Sequence, residues 1–136
     1  MKQKYKEALM DMACRFGQTS EAERLKVGCL IYKNDAIISV GCNGQPPGWS
    51  YEYCEDTDGN TLSSVRHAEI AALEKLWQSS ETAQGSSMFI SHSPCKNCAI
   101  KIATAGIIKV YYRTKYRTED GIRFLLAKNI KVEQVP

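Results

Sequence analysis

The sequence predicts an α/β fold in which one mixed sheet of five strands lies between helices on both of its faces. Strand-like and helix-like segments follow one another in the order α-β-β-α-β-α-β-α-β along 136 residues. A short Asn34-Asp35 step joins the first two strands as a hairpin. Helical segments separate the last three strands, and crossovers of that kind make neighbouring strands parallel. A single three-layer domain spanning residues 1–136 is therefore expected.

Each element follows from a local pattern. Helices are predicted where apolar residues recur at three- and four-residue intervals before a stop such as Gly17 or Gly106. Strands are predicted where short apolar runs lie between polar turns. The helices are then 5–16, 67–77, 94–105 and 119–128, and the strands are 27–32, 36–42, 87–91, 107–112 and 130–135.

Residues 43–64 are predicted to form a long loop, because they hold two prolines and three glycines among many polar residues. Loops of this length in compact domains are usually functional or disordered. Within the loop, Asp56–Asn60 resembles the start of a calcium loop, but its glycine is misplaced. We therefore expect a turn there.

Composition narrows the classes of partner and location. The net charge of +3, from 18 basic and 15 acidic residues, is too small to indicate a nucleic-acid groove and fits a small anionic ligand at least as well. No apolar run approaches the roughly 20 residues of a membrane span. The N-terminal residues are basic but precede no apolar segment, so no signal peptide is predicted. Six cysteines without an export signal favour metal binding in a reducing compartment, and a cytoplasmic location is expected.

Two short motifs predict a metal centre. His67-Ala68-Glu69 and Pro94-Cys95-Lys96-Asn97-Cys98 supply one imidazole and two thiolates, which are three ligands for one zinc ion per chain. A structural zinc site is normally closed by a fourth protein ligand, whereas a catalytic site keeps that position for water or substrate. The order H-x-E…P-C-x-x-C is that of zinc deaminases acting on cytosine or adenine.

Spacing and helix polarity support the same reading. Cys95 and Cys98 are three residues apart, so their sulfurs share a helix face, and a helix N-terminus favours the thiolate. Zinc in such a site activates water. Glu69 is expected to take the proton of that water and pass it to the ring nitrogen, and later to protonate the departing ammonia. The alternatives are a structural zinc knuckle or three unrelated residues.

Further segments resemble the cytidine deaminase superfamily, and most closely its deoxycytidylate (dCMP) deaminases. They are Ser20–Gly28, Gly41–Gly48, Cys54-Glu55 before the His67 helix, and Tyr112–Tyr116. The resemblance implies a cytidine deaminase-like three-layer fold. It also implies zinc-dependent hydrolytic deamination of dCMP to dUMP and ammonia, which supplies the dTTP pathway.

The resemblance also implies a set of substrate contacts. Asn43 would hydrogen-bond the sugar, while the Ala68 N–H and the Ser93 carbonyl would hold the edge of the base. Tyr116 and Arg24 would meet the 5′-phosphate. A strand-end tyrosine is, however, more commonly a core or solvent-edge aromatic, and that alternative stays open for Tyr116.

Assembly and regulation are implied in the same way. Many members of the family are homohexamers that dCTP with Mg²⁺ activates and dTTP inhibits, through a loop that corresponds to Gly41, Cys42, Asn43 and Gly44. This chain has Cys42 where tyrosine is usual, and Pro47–Trp49 falls in a variable part. The Gly44–Gly48 segment is also consistent with a simple turn.

Two rival functions stand beside the nucleotide enzyme. A base deaminase acting on tRNA or single-stranded nucleic acid shares both motifs, but the 23 residues between Asn43 and His67 favour the nucleotide enzyme. A zinc-stabilised module that binds nucleotides without chemistry would have no use for Glu69. A nucleoside cytidine deaminase usually has cysteine in place of His67.

Packing is the default expectation for the remaining candidate ligands, with a second, structural zinc as the alternative: Cys14, Cys29, Cys42, Cys54 and His92. A loose basic cluster is expected to form a solvated face rather than a nucleic-acid patch, with one member a candidate for the phosphate pocket: Lys109, Arg113, Lys115 and Arg117.

Overall fold

A computed structural model describes all residues from Met1 to Pro136. It contains four helices and five strands in the predicted order. The helices are α1 (Gln3–Gly17), α2 (Ala68–Leu76), α3 (Lys96–Thr104) and α4 (Asp120–Ala127). The strands are β1 (Gly28–Lys33), β2 (Ala36–Cys42), β3 (Ser87–His92), β4 (Lys109–Thr114) and β5 (Lys131–Gln134).

The five strands form one mixed sheet in the order β2-β1-β3-β4-β5. Strand β1 is antiparallel to both β2 and β3, whereas β3, β4 and β5 run parallel to one another, as the intervening helices predict. Asn34 and Asp35 turn the β1–β2 hairpin with φ values of 50° and 62°. Asparagine and aspartate tolerate this left-handed conformation better than most residues, which explains the tight turn.

The two faces of the sheet bury separate apolar clusters, because side chains alternate along each strand. One face packs against α1 through Leu9, Met10, Ala13, Leu30, Phe89, Tyr111 and Val135. The other face packs against α2, α3 and α4 and holds the larger cluster, including Cys29, Ile31, Ala72, Met88, Ile90, Ile102, Val110 and Leu125. The predicted three-layer α/β fold is thus confirmed.

Two helices begin later than the sequence suggested. Helix α3 begins at Lys96, and Cys95 before it has an extended backbone with φ −71° and ψ 167°. Helix α2 begins at Ala68, with His67 similarly extended at φ −70° and ψ 156°. Both shifts have one cause, because a residue in the N-cap position has non-helical dihedral angles. Pro94 therefore precedes the cap instead of opening the helix.

The segment between β2 and α2 is the predicted long loop, closed at its base by backbone pairing between Gly44 and Arg66. Its tip holds the expected turn, in which Asp56 Oδ1 accepts the N–H groups of Asp58 at 2.9 Å and Asn60 at 3.0 Å. All six cysteines have free thiols. None of the four helices combines the length and the apolar character that a membrane crossing requires.

Candidate functional site

Three side chains from the two predicted motifs meet at one point. His67 Nδ1 lies 3.2 Å from Cys98 Sγ and 3.7 Å from Cys95 Sγ, and all three ligand atoms lie within 4.8 Å of one another. Tetrahedral zinc with ordinary bond lengths requires N···S separations of about 3.6 Å and S···S separations of about 3.8 Å. The donor set and its spacing therefore fit zinc.

Helix starts position these ligands. His67 caps α2, where its carbonyl accepts the Ala71 N–H at 3.0 Å, and Cys95 caps α3, where its carbonyl accepts the Ala99 N–H at 2.9 Å. Cys98 follows in the first turn of α3 and is buried. The positive ends of both helix dipoles thus point toward the cluster, which favours thiolates over thiols.

The three ligands share protons unequally. Hydrogen bonding from Cys98 and then from His67 lowers the pKa of Cys95 to about 4. Hydrogen bonding to Cys95, followed by burial, raises the pKa of Cys98. The pKa of His67 is raised, chiefly by its hydrogen bond to Cys95. Zinc binds thiolates and neutral imidazole, so metal binding at this cluster should release protons.

Glu69 lies in the first turn of α2, two residues after His67, and only 4% of its surface is exposed. Burial is the largest cause of its raised pKa. Glu69, His67 and Cys95 line the same cavity, so the carboxyl group faces the space beside the metal ligands. A buried carboxyl whose pKa is raised toward neutrality is suited to accept and return a proton.

The cavity at this cluster has a volume of about 590 Å³. Helix α2, the ends of β3 and β4, and two loops enclose it. Its lining combines the metal-site residues with three exposed cations, Arg24, Lys115 and Arg117. The remaining lining residues are Ala22, Leu25, Val27, Asn43, Glu55, Thr61, Val65, Ala68, His92, Ser93 and Tyr116.

All five residues expected to contact substrate line this cavity: Arg24, Asn43, Ala68, Ser93 and Tyr116. Ser93 is buried, and its Oγ accepts the Tyr116 N–H at 2.6 Å, which fixes the segment after β4 over the site. Arg24 Nη1 lies 3.4 Å from the Thr61 hydroxyl, and both residues line the cavity. The structure thus brings together residues that are more than 90 positions apart in the chain.

Asn43 has a structural contact that the sequence did not indicate. Its Oδ1 accepts the Val27 N–H at 2.9 Å, and its Nδ2 donates to the Leu25 carbonyl at 2.7 Å. The side chain therefore ties the β2 end to the segment that enters β1. One of the two Nδ2 hydrogens remains for a ligand.

Of the four residues expected in a regulatory loop, only Asn43 lines the cavity. Gly41 is explained by packing, since a Cβ there would lie 2.5 Å from the Ala68 carbonyl oxygen and 2.6 Å from the Ala72 nitrogen. Cys42 Sγ lies 3.6 Å from Thr19 Oγ1. Gly44 pairs with Arg66. A regulatory role for these residues stays a prediction.

The loose basic cluster divides into two pairs. Lys115 and Arg117 line the cavity, so two members of the cluster lie there, where the sequence had suggested room for one. Lys109 lies 3.4 Å from Glu133, and Arg113 lies 2.7 Å from Asp11, both away from the cavity. Position relative to β4 separates the pairs, since Lys115 and Arg117 follow the strand end that borders the site.

Glu55 and His92 also line the cavity, and neither was predicted to be a site residue. The Glu55 carboxylate accepts the backbone N–H groups of Glu23 at 3.2 Å and Arg24 at 3.3 Å, so it anchors the segment that carries Arg24. His92 was expected to pack in the core, but it is half-buried at the end of β3. In the sequence, the signal for a site position was that His92 directly precedes Ser93, an expected substrate contact.

The four spare cysteines behave differently from one another. Cys29 and Cys54 are buried, as expected, whereas Cys14 and Cys42 are only partly covered. His67, Cys95 and Cys98 form the one group of three His, Cys, Asp or Glu side chains close enough to share a metal ion. His92 and the spare cysteines are not gathered into a second such group.

Comparison with known proteins agrees with this geometry. Residues 3–114 match the sequence model described as the cytidine and deoxycytidylate deaminase zinc-binding region. An uncharacterized deaminase in the luxG 3′ region of Aliivibrio fischeri is 36% identical over 119 residues, covering 86% of this chain and 76% of that protein. Human deoxycytidylate deaminase is 32% identical over 122 residues, covering 84% of this chain and 67% of that protein.

A solved structure gives a closer match. The dCMP deaminase of cyanophage S-TIM5, in complex with dCMP and dUMP, superposes with a TM-score of 0.96 at 46% identity and covers 98% of both chains. Because the matched region contains both ligand motifs and most of the fold, the chain belongs to the cytidine and deoxycytidylate deaminase family.

Proposed function

We propose that this protein catalyses the zinc-dependent hydrolytic deamination of dCMP to dUMP and ammonia. The observation that supports this most is one cavity lined both by the His67–Cys95 metal-ligand pair with buried Glu69 and by exposed cations. That combination matches a substrate with a reactive base and an anionic group. The similarity to a cyanophage enzyme that binds dCMP and dUMP supports the same substrate.

In this proposal His67, Cys95 and Cys98 hold one zinc ion and leave one coordination position for water. Bound zinc would supply one thing here, a lowering of the pKa of that water to about 7. Glu69 accepts the water's proton on its carboxylate and passes it to the ring nitrogen N3. As the water oxygen bonds to C4, Glu69 would take the second proton from that oxygen and deliver it to the amino group, so that the C4–N bond breaks and ammonia leaves. A positioned general acid–base group typically contributes about 10²–10⁴-fold to the rate.

Backbone groups are suited to hold the base. Ala68 is the first residue of α2, so its N–H has no partner within the helix. Ser93 lies between β3 and α3, and no backbone N–H donates to its carbonyl oxygen. We assign the Ala68 N–H and the Ser93 carbonyl to the edge of the base, and the free Nδ2 hydrogen of Asn43 to the sugar.

Positive side chains are suited to hold the phosphate. Arg24 and Tyr116 were expected in this role, and Lys115 and Arg117 join them in the cavity lining. Lys115 is already paired with Glu119 at 3.1 Å. Arg24 and Arg117 remain, and their guanidinium groups are suited to bind a phosphate through two hydrogen bonds.

We also propose where the enzyme acts and how it is assembled and regulated. We propose a single deaminase domain, a cytoplasmic location, a homo-oligomer such as a hexamer, and a supply role in the dTTP pathway. We also retain regulation by dCTP with Mg²⁺ and by dTTP through the Gly41–Gly44 loop. The support for these features is the resemblance of the sequence to the dCMP deaminases.

A substrate panel tests the reaction. Zinc-loaded protein is incubated separately with dCMP, cytidine, dCTP and a tRNA stem-loop, and ammonia release is measured together with product identity. We expect turnover of dCMP to dUMP with equimolar ammonia and little turnover of cytidine. Turnover confined to the stem-loop would favour a nucleic-acid deaminase, and zinc binding without any turnover would favour a nucleotide-binding module.

A further inference from the structure

The buried hydroxyl of Ser91, near the end of β3, contacts the imidazole of His92. Ser91 is only 6% exposed, and its Oγ accepts the Gly28 N–H at 3.0 Å. The same Oγ lies 2.9 Å from Nδ1 of His92. Ser91 therefore has two close neighbours, of which the Gly28 amide is a donor only.

These contacts determine the tautomer of His92. A serine hydroxyl has one hydrogen to donate. If His92 Nδ1 carried a hydrogen, Ser91 Oγ would accept from both neighbours, and its own hydrogen would be buried without an acceptor. Leaving a buried donor unpaired is costly, so the favoured arrangement has Ser91 donating to Nδ1. His92 then carries its hydrogen on Nε2.

The imidazole is also neutral near pH 7. Burial lowers the pKa of His92 below its usual range. Nε2 has no hydrogen-bond partner within the protein, although the side chain lines the cavity. The structure thus holds a neutral N–H donor, fixed by Ser91, that is available to a ligand.

The position of His92 in the sheet indicates which part of a ligand it would meet. His92 pairs with Thr114 across the β3–β4 ladder, and the next three residues, Lys115, Tyr116 and Arg117, all line the cavity. Ser93 and Pro94 separate His92 from the metal ligand Cys95. His92 thus belongs to the wall that carries the positive side chains.

We propose that His92 is a specificity-determining residue whose Nε2–H donates a hydrogen bond to the 5′-phosphate of the nucleotide, with Ser91 as its positioning residue. This inference rests on the proposed function, because it assigns a contact to the same substrate. A phosphate oxygen suits this donor, since it accepts hydrogen bonds in any protonation state of the monoester. The neutral ring adds a contact without adding to the charge of Arg24, Lys115 and Arg117.

Imidazole NMR provides the first test, because the chain contains only two histidines and His67 is assigned to the metal. In ¹⁵N-labelled, zinc-loaded protein we expect the His92 signals of the Nε2–H tautomer. Saturating dUMP should shift the Nε2 signal, and deoxyuridine at equal occupancy should not. An Nδ1–H tautomer, or equal shifts with both ligands, would overturn the proposal.

Binding by two variants provides the second test. His92→Gln places an amide N–H near the position of Nε2, whereas His92→Phe keeps a ring without a donor. We expect His92→Phe to weaken dUMP binding roughly 10- to 100-fold, the value of a hydrogen bond to a charged group, and His92→Gln to recover most of that loss. Deoxyuridine binding should be unchanged in both. Equal losses for dUMP and deoxyuridine, or no loss for dUMP, would overturn the proposal.

The two proposals fail in different ways. If wild-type protein turns over dCMP while His92→Phe binds dUMP normally, the reaction stands and the His92 contact is wrong. If wild-type protein neither binds dUMP nor turns over dCMP, the proposed reaction is wrong, and the His92 contact is wrong with it. The wild-type NMR spectrum tests the tautomer even if His92→Phe fails to fold.

Discussion

Gly121, near the start of α4, packs directly against the carbonyl of Pro94. A Cβ added at Gly121 would lie 2.0 Å from the Pro94 oxygen and 3.0 Å from the carbonyl carbon of Cys95. Helix α4 thus supports the backbone of the metal-binding loop from behind, and only a residue without a side chain permits this approach.

Replacing Gly121 with alanine should disturb the metal loop. Because the obstacle is backbone, Gly121→Ala should reduce the free energy of unfolding by about 1–3 kcal/mol or more, as overpacked cores do. It should also speed zinc loss to a chelator. Denaturant unfolding and chelator kinetics measure the two effects. Gly44→Ala is the matched control, since a Cβ there meets nothing within 4 Å. Equal behaviour of the two variants would contradict the packing argument.

Replacing Glu69 with glutamine should separate metal binding from catalysis. Glu69→Gln removes the proton carrier but leaves His67, Cys95 and Cys98, so zinc content should remain near one ion per chain. Turnover of dCMP should fall by about 10²-fold or more. Metal analysis and a deamination assay on the same preparation measure both quantities. Glu81→Gln, at an exposed carboxylate paired with Lys33, is the control. A zinc-loaded, active Glu69→Gln protein would exclude Glu69 from the mechanism.

Replacing Asn43 with aspartate should damage both folding and substrate binding. The new carboxylate oxygen would face the Leu25 carbonyl that now accepts a hydrogen bond from Nδ2. We expect a loss of about 1–3 kcal/mol in the free energy of unfolding, together with a higher KM for dCMP. Thermal unfolding and steady-state kinetics measure these changes. Asn60→Asp, on the exposed tip of the loop, should change neither.

The pH dependence of kcat/KM should reflect the raised pKa of Glu69. Burial disfavours the carboxylate, so this group takes up a proton at a higher pH than an ordinary glutamate does. The reaction needs the carboxylate as the initial proton acceptor, and activity should therefore fall as pH decreases through that raised pKa. Rates between pH 4 and pH 9 in zinc-containing buffer measure the profile. An acid limb at the ordinary glutamate pKa of about 4.3 would contradict this explanation.

The sequence predicted those parts of the molecule that depend on local pattern. His67 and Glu69 lie within three consecutive residues, and Cys95 and Cys98 lie within one helical turn, so each half of the metal site is recognisable without tertiary information. The order of the elements and the direction of β3, β4 and β5 likewise follow from chain connectivity.

The residues that were missed depend on how distant segments meet. Glu55 reaches the cavity only because the loop is closed between Gly44 and Arg66, and no pattern near Glu55 indicates that closure. His92 sits at a strand end where alternation allows either core or cavity, and the contact with Ser91 decides between them. The backbone contacts of Asn43 with Leu25 and Val27 are equally invisible in a single sequence.

X-ray absorption at the zinc edge tests the central claim most directly. In protein containing one zinc per chain, we predict two sulfur ligands at about 2.3 Å and two nitrogen or oxygen ligands at about 2.0–2.1 Å. Adding dUMP should change the signal from the nitrogen and oxygen ligands and leave the number and distance of the two sulfur ligands unchanged. Three or four sulfur ligands, or a shell unaffected by any nucleotide, would contradict an open catalytic centre.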